Sequence, residues 1–218
     1  MPKRDQFVPM SRSRRRIRRL GRKALWAAGV VAVLALLALA DRAGLFGLSD
    51  WHAYEGRTFT VVKVVDGDTL DVDRPDGRYD HTRVRLLGVD APESVDPRKP
   101  VEHFGPEAAV FVRDAVAGKP VTLRLDAART RDKYGRLLAY VILADGTNLN
   151  EQIVATGHAY ADPRYRNPLK AALRRAQDRA AKASLGLWRA VRRKDLPYYY
   201  RKTLPLPDQS TTGRATDR

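Results

Sequence analysis

The stretch TFTVVKVVDGDTLDV, residues 58–72, decides how the chain is read. Thr58–Val65 is rich in β-branched residues, which suit a pleated, half-buried surface, and reads as a strand. Asp66-Gly67 is a strong hairpin signal, and Thr69–Val72 resumes the extended run. Outward from this hairpin, Pro75-Asp76-Gly77 marks a turn. His81–Val89 is a third strand, with Val84 and Leu86 facing one way and Arg83 and Arg85 the other. A loop with Pro92, Pro97 and Pro100 follows. Pro106 opens a helix whose apolar stripe is Ala108, Phe111, Val112, Ala115 and Val116, and Gly118 ends it. Val121–Leu125 and Leu137–Leu143 are two more strands. Thr147–Ala155 is a second helix that buries Leu149, Ile153 and Val154. Asn167-Pro168 caps a third, which buries Leu169, Ala172, Leu173, Ala176, Ala180 and Ala183 and stops at Gly186.

The order βββαββαα implies an α+β, mainly β domain over residues 57–188, with five short strands and three helices. A helix inserted after the third of several short antiparallel strands suits a small closed barrel with helices packed at one end. An open β-meander has the same periodicity.

The flanks differ in character. Residues 1–23 carry ten lysines and arginines against Asp5, which places +9 of the formal net charge of +16 there and leaves +7 for the rest. Ala24–Ala40 follows, 17 residues without a charge, at the short end of the roughly 17–25 that span a bilayer. Residues 24–44 are therefore expected to be a transmembrane signal anchor. The basic block would stay in the cytoplasm and place the remainder outside, a single-pass protein of the inner membrane. The alternative is a signal peptide cleaved after Ala38-Leu39-Ala40, giving a secreted protein. Residues 45–56 read as a linker, and the basic, proline-containing residues 189–218 as an unstructured tail.

With no cysteine, disulfides, thiolate metal sites and cysteine nucleophiles are excluded. His52, His81, His103 and His158 lack zinc-ligand spacing. The excess of +7 suits a polyanionic partner, although it equally suits mere solubility. The remaining chemistry lies in carboxylates and basic groups at strand ends and turns: Asp68, Arg85, Asp90, Glu93 and Arg136. Hard oxygen ligands such as Asp68 and Asp90 suit Ca²⁺ or Mg²⁺. Arginines match phosphate oxygens, and a carboxylate such as Glu93 can orient or deprotonate a water. Singly, each has an ordinary structural explanation: a turn aspartate, a surface ion pair.

Together, VVDGDT (64–69), VRLLGVDAPE (84–93), VEHFGPEA (101–108), RTRDKYGRLLAY (129–140) and DGTNLNE (145–151) resemble the staphylococcal-nuclease family in order and spacing, over about residues 59–188. The resemblance implies an OB-fold barrel and a calcium-dependent phosphodiesterase that cuts DNA or RNA on the 5′-oxygen side. By position, Asp68, Asp90 and the Ala91 backbone carbonyl look like ligands of one Ca²⁺, with Mg²⁺ the lesser candidate. Glu93 looks like the base or water organiser, Arg85 and Arg136 like the phosphate-gripping arginines, and Lys133 and Tyr134 like contacts to a second phosphate. Tyr160 and Tyr165 are the candidates for base stacking. Departures from the pattern are Ala91 in place of threonine, Phe104 in place of tyrosine, and an extra residue at Arg131. A monomeric nuclease is expected. The competing expectation is an inactive nucleic-acid-binding barrel at the cell envelope, which would be expected to have lost Arg85, Glu93 or Arg136.

Overall fold

The computed structural model describes residues 12–42, 48–97 and 100–206. The chain divides into two compact units, residues 1–49 and 50–218. The first holds helix α1 (Arg12–Arg42), which exposes Leu25, Trp26, Val31, Leu34 and Leu36. Among the described residues no helix is long and apolar enough to cross a membrane. The expected cytoplasmic terminus before residue 12 lies outside the described residues.

Helix α2 (Leu48–Tyr54) leads into the second unit, where a linker was expected. Asp50 and Tyr54 are buried, and the Tyr54 hydroxyl hydrogen-bonds Thr82 Oγ1 at 2.9 Å. The linker expectation fails because these two residues are tied to partners far along the chain.

The strands are β1 (Thr58–Asp66), β2 (Thr69–Val72), β3 (Thr82–Leu86), β5 (Pro120–Leu125) and β6 (Leu137–Ile142), which close a five-stranded barrel in the order β1-β2-β3-β6-β5. All pairs are antiparallel except β3 with β6. Val61, Leu70, Val72, Val84, Leu86, Leu123, Leu137 and Val141 fill the interior and are at most 1 % exposed. Helix α3 (Gly105–Val116) and helix α4 (Leu149–Ala155) add Val112, Val116, Leu149 and Ile153 to the same core. Asn148 caps α4 by accepting the Asn150 and Glu151 N–H groups.

The strand expected over 81–89 is interrupted. Gly88 takes a left-handed φ of +75°, and a Cβ there would lie 2.6 Å from Leu173 Cδ1, so the turn needs glycine. Beyond it Val89–Asp90 forms the short strand β4, paired with β7 (Tyr160–Ala161). This reversal brings Asp90 back beside Arg85. Helix α5 (Lys170–Lys182) starts later than the Asn167-Pro168 signal suggests. Asn167 instead uses its side chain to accept the Tyr140 hydroxyl at 3.1 Å.

Past α5 the chain stays packed. Leu187, Trp188, Val191, Leu196, Tyr200 and Leu204 are at most 4 % exposed and form a second core with Tyr160 and Ala180. Residues 189–206 are a strap laid on the domain, contrary to the expected unstructured tail; residues 207–218 lie outside the described residues.

Candidate active site

The hairpin delivers the first carboxylate. Asp66 and Gly67 make the turn, and the Asp66 carboxylate accepts the Asp68 N–H at 2.9 Å, an Asx turn. A Cβ on Gly67 would lie 2.7 Å from the Ala91 Cβ and 2.8 Å from the Ala108 Cβ, so glycine lets the turn press onto the 90s loop and α3. Asp68 is 2 % exposed. Its Oδ2 accepts the Ala91 N–H at 2.8 Å, and its Oδ1 accepts Thr69 Oγ1 at 2.9 Å and pairs with Arg85.

Strand β3 supplies Arg85, opposite Thr69 of β2. Alternation put Arg83 and Arg85 on one side, but their surroundings differ. Arg83 is half exposed and paired to Asp71, whereas the Arg85 side chain is 16 % exposed and lies between Asp68 and Asp90. Arg85 Nη2 donates to Asp90 Oδ1 and to the Val89 carbonyl, each at 3.0 Å. Burial pulls its guanidinium below the ordinary arginine value, Asp90 pulls it back up, and Arg136 lowers it. Burial likewise raises the Asp66 carboxyl against the pull of Arg85. Asp66 belongs to this charge cluster, and its sequence signal was hidden because it doubles as a turn residue.

Arg85, Asp90, Lys133, Tyr134 and Arg136 line one cleft of about 560 Å³, together with Arg129, Arg164, Tyr165 and Arg166. Arg136 Nε donates to Asp132 Oδ2 at 2.7 Å, and the Arg136 guanidinium lies 5.5 Å from the exposed Tyr134 ring. Arg131, the additional residue, does not enter the cleft. It donates to both oxygens of Asp50 and both of Asp76, at 2.6–3.1 Å, and so ties the β5–β6 loop to α2 and the turn after β2. These acceptors raise its guanidinium well above the ordinary value despite the opposing cost of burial.

Glu93, Asp68, Ala91 and Tyr160 are not part of the cleft lining. Glu93 lies on the loop after β4, where its Oε1 accepts the N–H groups of Ser94, Val95 and Asp96 at 3.0–3.1 Å. Tyr160 corrects an expectation. It is 2 % exposed and packs edge-on against Trp188, so no base can stack on it. Tyr165, 53 % exposed, is the tyrosine that reaches the cleft from this segment. Among the described residues no group of three or more histidines and acids is placed to hold a metal.

The strap adds a partner that the sequence did not announce. Tyr199 donates its hydroxyl to Asp90 Oδ2 at 2.6 Å. Burial and the neighbouring carboxylate push its phenol far above the ordinary value, so it is the donor. Arg164 Nη2 lies 3.3 Å from Asp90 Oδ1 and is also held by Asp162 at 2.8 Å.

Residues 83–190 match the family model described as "Staphylococcal nuclease homologue". A thermonuclease of Staphylococcus hyicus is 36 % identical over 135 residues, 61 % of this chain and 76 % of that protein. A thermonuclease of Staphylococcus intermedius is 38 % identical over 138 residues, 61 % of this chain and 77 % of its own length. An uncharacterized endonuclease of Escherichia coli is 36 % identical over 129 residues, 59 % of this chain and 74 % of that protein. On this similarity and the five-stranded barrel that carries it, the chain belongs to the staphylococcal nuclease family.

Proposed function

We propose that this enzyme, by family a nuclease that hydrolyses phosphodiester bonds, cuts DNA or RNA in a calcium-dependent reaction at the cleft beneath Arg85. The observation that carries the proposal is the gathering of Arg85, Arg136, Lys133 and Tyr134 with Asp90 along one cleft, from segments separated by about fifty residues.

The donor chemistry fits a hard divalent cation. Asp68 and Asp90 are oxygen donors gripped by one guanidinium, and the Ala91 N–H on Asp68 draws the next backbone unit to the same place. Asp68, Asp90 and the Ala91 carbonyl would hold the ion, with waters completing its shell. Bound there, it would polarise a phosphoryl oxygen. The remaining roles fall to side chains. Arg85, shielded from solvent, and Arg136 bind phosphate oxygens and stabilise charge that grows in the transition state. Glu93, fixed by three backbone N–H groups, orients the attacking water or takes its proton. Lys133 and the Tyr134 face, 4.9 Å apart, meet a neighbouring phosphate.

The test is incubation of the purified chain with single-stranded DNA and with RNA, in calcium, magnesium or chelator. Cleavage in calcium that stops with chelator supports the proposal. Salt-sensitive binding without cleavage under any metal would leave an inactive barrel.

Membrane attachment through residues 24–44 is part of the same proposal. Its support is the basic block before Ala24 and the exposed apolar side chains of α1. A span of about 25 Å requires local bilayer thinning or snorkelling by flanking arginines. Sedimentation of the protein with membranes after alkaline washing, and digestion of its domain by external protease, are the expected results. A mature protein that begins at Asp41 would instead establish signal-peptide cleavage and secretion.

A further inference from the structure

We propose that the C-terminal strap completes the metal site, with Tyr199 as the positioning residue that fixes the Asp90 carboxylate. The inference rests on the metal-dependent function proposed above.

Asp90 is held by donors from three separate segments: Arg85 of β3, Arg164 after β7, and Tyr199 of the strap. Each carboxylate oxygen accepts about two hydrogen bonds. Arg85 donates to Oδ1 at 3.0 Å and Arg164 lies in ion-pair range of the same oxygen at 3.3 Å, so two guanidinium groups crowd it. Tyr199 takes one position on Oδ2, at 2.6 Å, and leaves the other. Oδ2 is therefore the oxygen that can serve a cation, and Tyr199 is the group that sets its direction. Partners of this kind, one shell behind the ligand, typically alter metal affinity 10–100-fold.

Tyr199 also acts on Asp90 through Arg164. Its ring lies 4.6 Å from the Arg164 guanidinium and, with the Asp162 ion pair, holds that arginine against Oδ1.

The strap is rigid enough to impose a direction. On either side of Tyr199, Leu196, Tyr200 and Leu204 are buried in the second core. The Tyr200 hydroxyl donates to the Ala161 carbonyl at 2.6 Å. Arg193 Nη1 donates to the Leu204 carbonyl at 2.6 Å, and Arg201 Nε to the Leu196 carbonyl at 2.9 Å, so the segment is bonded to itself as well. A hydroxyl carried by such a segment keeps its place when the cleft is empty of substrate.

The experiment is calorimetric titration of the full chain with Ca²⁺ in the absence of nucleic acid, comparing wild type, Tyr199→Phe and Tyr200→Phe, each checked by its metal-free melting temperature. Tyr199→Phe keeps the ring and removes only the hydroxyl, and its calcium Kd should rise about tenfold. Tyr200→Phe removes a hydroxyl from the same strap that never touches Asp90. It should melt earlier and bind calcium as wild type does. An unchanged or tighter Kd in Tyr199→Phe, or an equal loss in both variants, would overturn the inference and leave the strap as packing alone. If wild type itself takes up no calcium, the metal-dependent function fails and the inference falls with it.

Discussion

Asp90 is held from two sides that are built in different ways. On the barrel side, Arg85 sits on a strand paired to β2 and to β6, so its position is fixed by two hydrogen-bonded ladders. On the strap side, Tyr199 sits in a segment without strands, placed by a few buried side chains such as Leu196, Tyr200 and Leu204. A ladder spreads its hold over many backbone groups, and one substitution loosens it little. A strap docked by a few large side chains concentrates its hold, and one substitution can release it. The barrel side is thus expected to respond to mutation through its chemistry, and the strap side through its packing.

The largest expected effect breaks the strap side. Trp188 is fully buried at the centre of the second core, and Trp188→Ala should cost about 3–5 kcal/mol of stability, read by chemical denaturation. A loss below about 1 kcal/mol would mean that the second core contributes little. Next comes the clamp that joins α2 to the barrel loops. Arg131→Ala strands the buried Asp50 and should cost about 2 kcal/mol, reduced from a fully buried pair because the Arg131 side chain is 25 % exposed. Asp50→Asn should cost less, since it removes one of the two carboxylates that Arg131 holds.

Tyr165 and Tyr160 sharpen the comparison. Tyr165→Ala should weaken single-strand binding by about 1–2 kcal/mol at unchanged stability, as loss of one stacked base would. Tyr160→Phe should leave binding unaltered, because the ring faces Trp188. The smallest effect concerns pH. Burial lowers the His158 pKa, and the ring stacks on Phe111 at 4.2 Å. The folded state therefore prefers the neutral ring, so stability contributed here is complete above the ordinary value of about 6.5 and declines as pH falls below it. His158→Gln should flatten that decline in melting temperature.

Most of the barrel was legible because its signals are local. The β-branched runs, the Asp-Gly turn and the Pro106 helix start each depend on residues a few positions apart. The Arg85–Asp90 pairing lay within one motif. What escaped depends on distant partners. Asp50 looks like linker until Arg131, 81 positions later, grips it. Asn167 looks like a helix cap until Tyr140 engages its side chain. Leu196, Tyr200 and Leu204 stand four residues apart, but Pro197 and Pro205 interrupt any helix there and basic residues surround them, so the strap has the composition of a disordered tail. Tyr160 was a candidate for base stacking beside Tyr165, whereas pairing of β7 with β4 turns it into the second core.

Phosphodiester chemistry is assigned to Arg85 and Arg136 of the cleft and to Glu93 on the loop after β4. Its most direct test is steady-state cleavage of a single-stranded oligonucleotide in saturating calcium by Arg85→Ala, Glu93→Gln and Arg136→Ala, with folding checked by circular dichroism. Each variant is expected to turn over about 10²–10³-fold more slowly while remaining folded, the scale of removing a preorganised donor or a positioned base. Wild-type turnover in all three folded variants would contradict it.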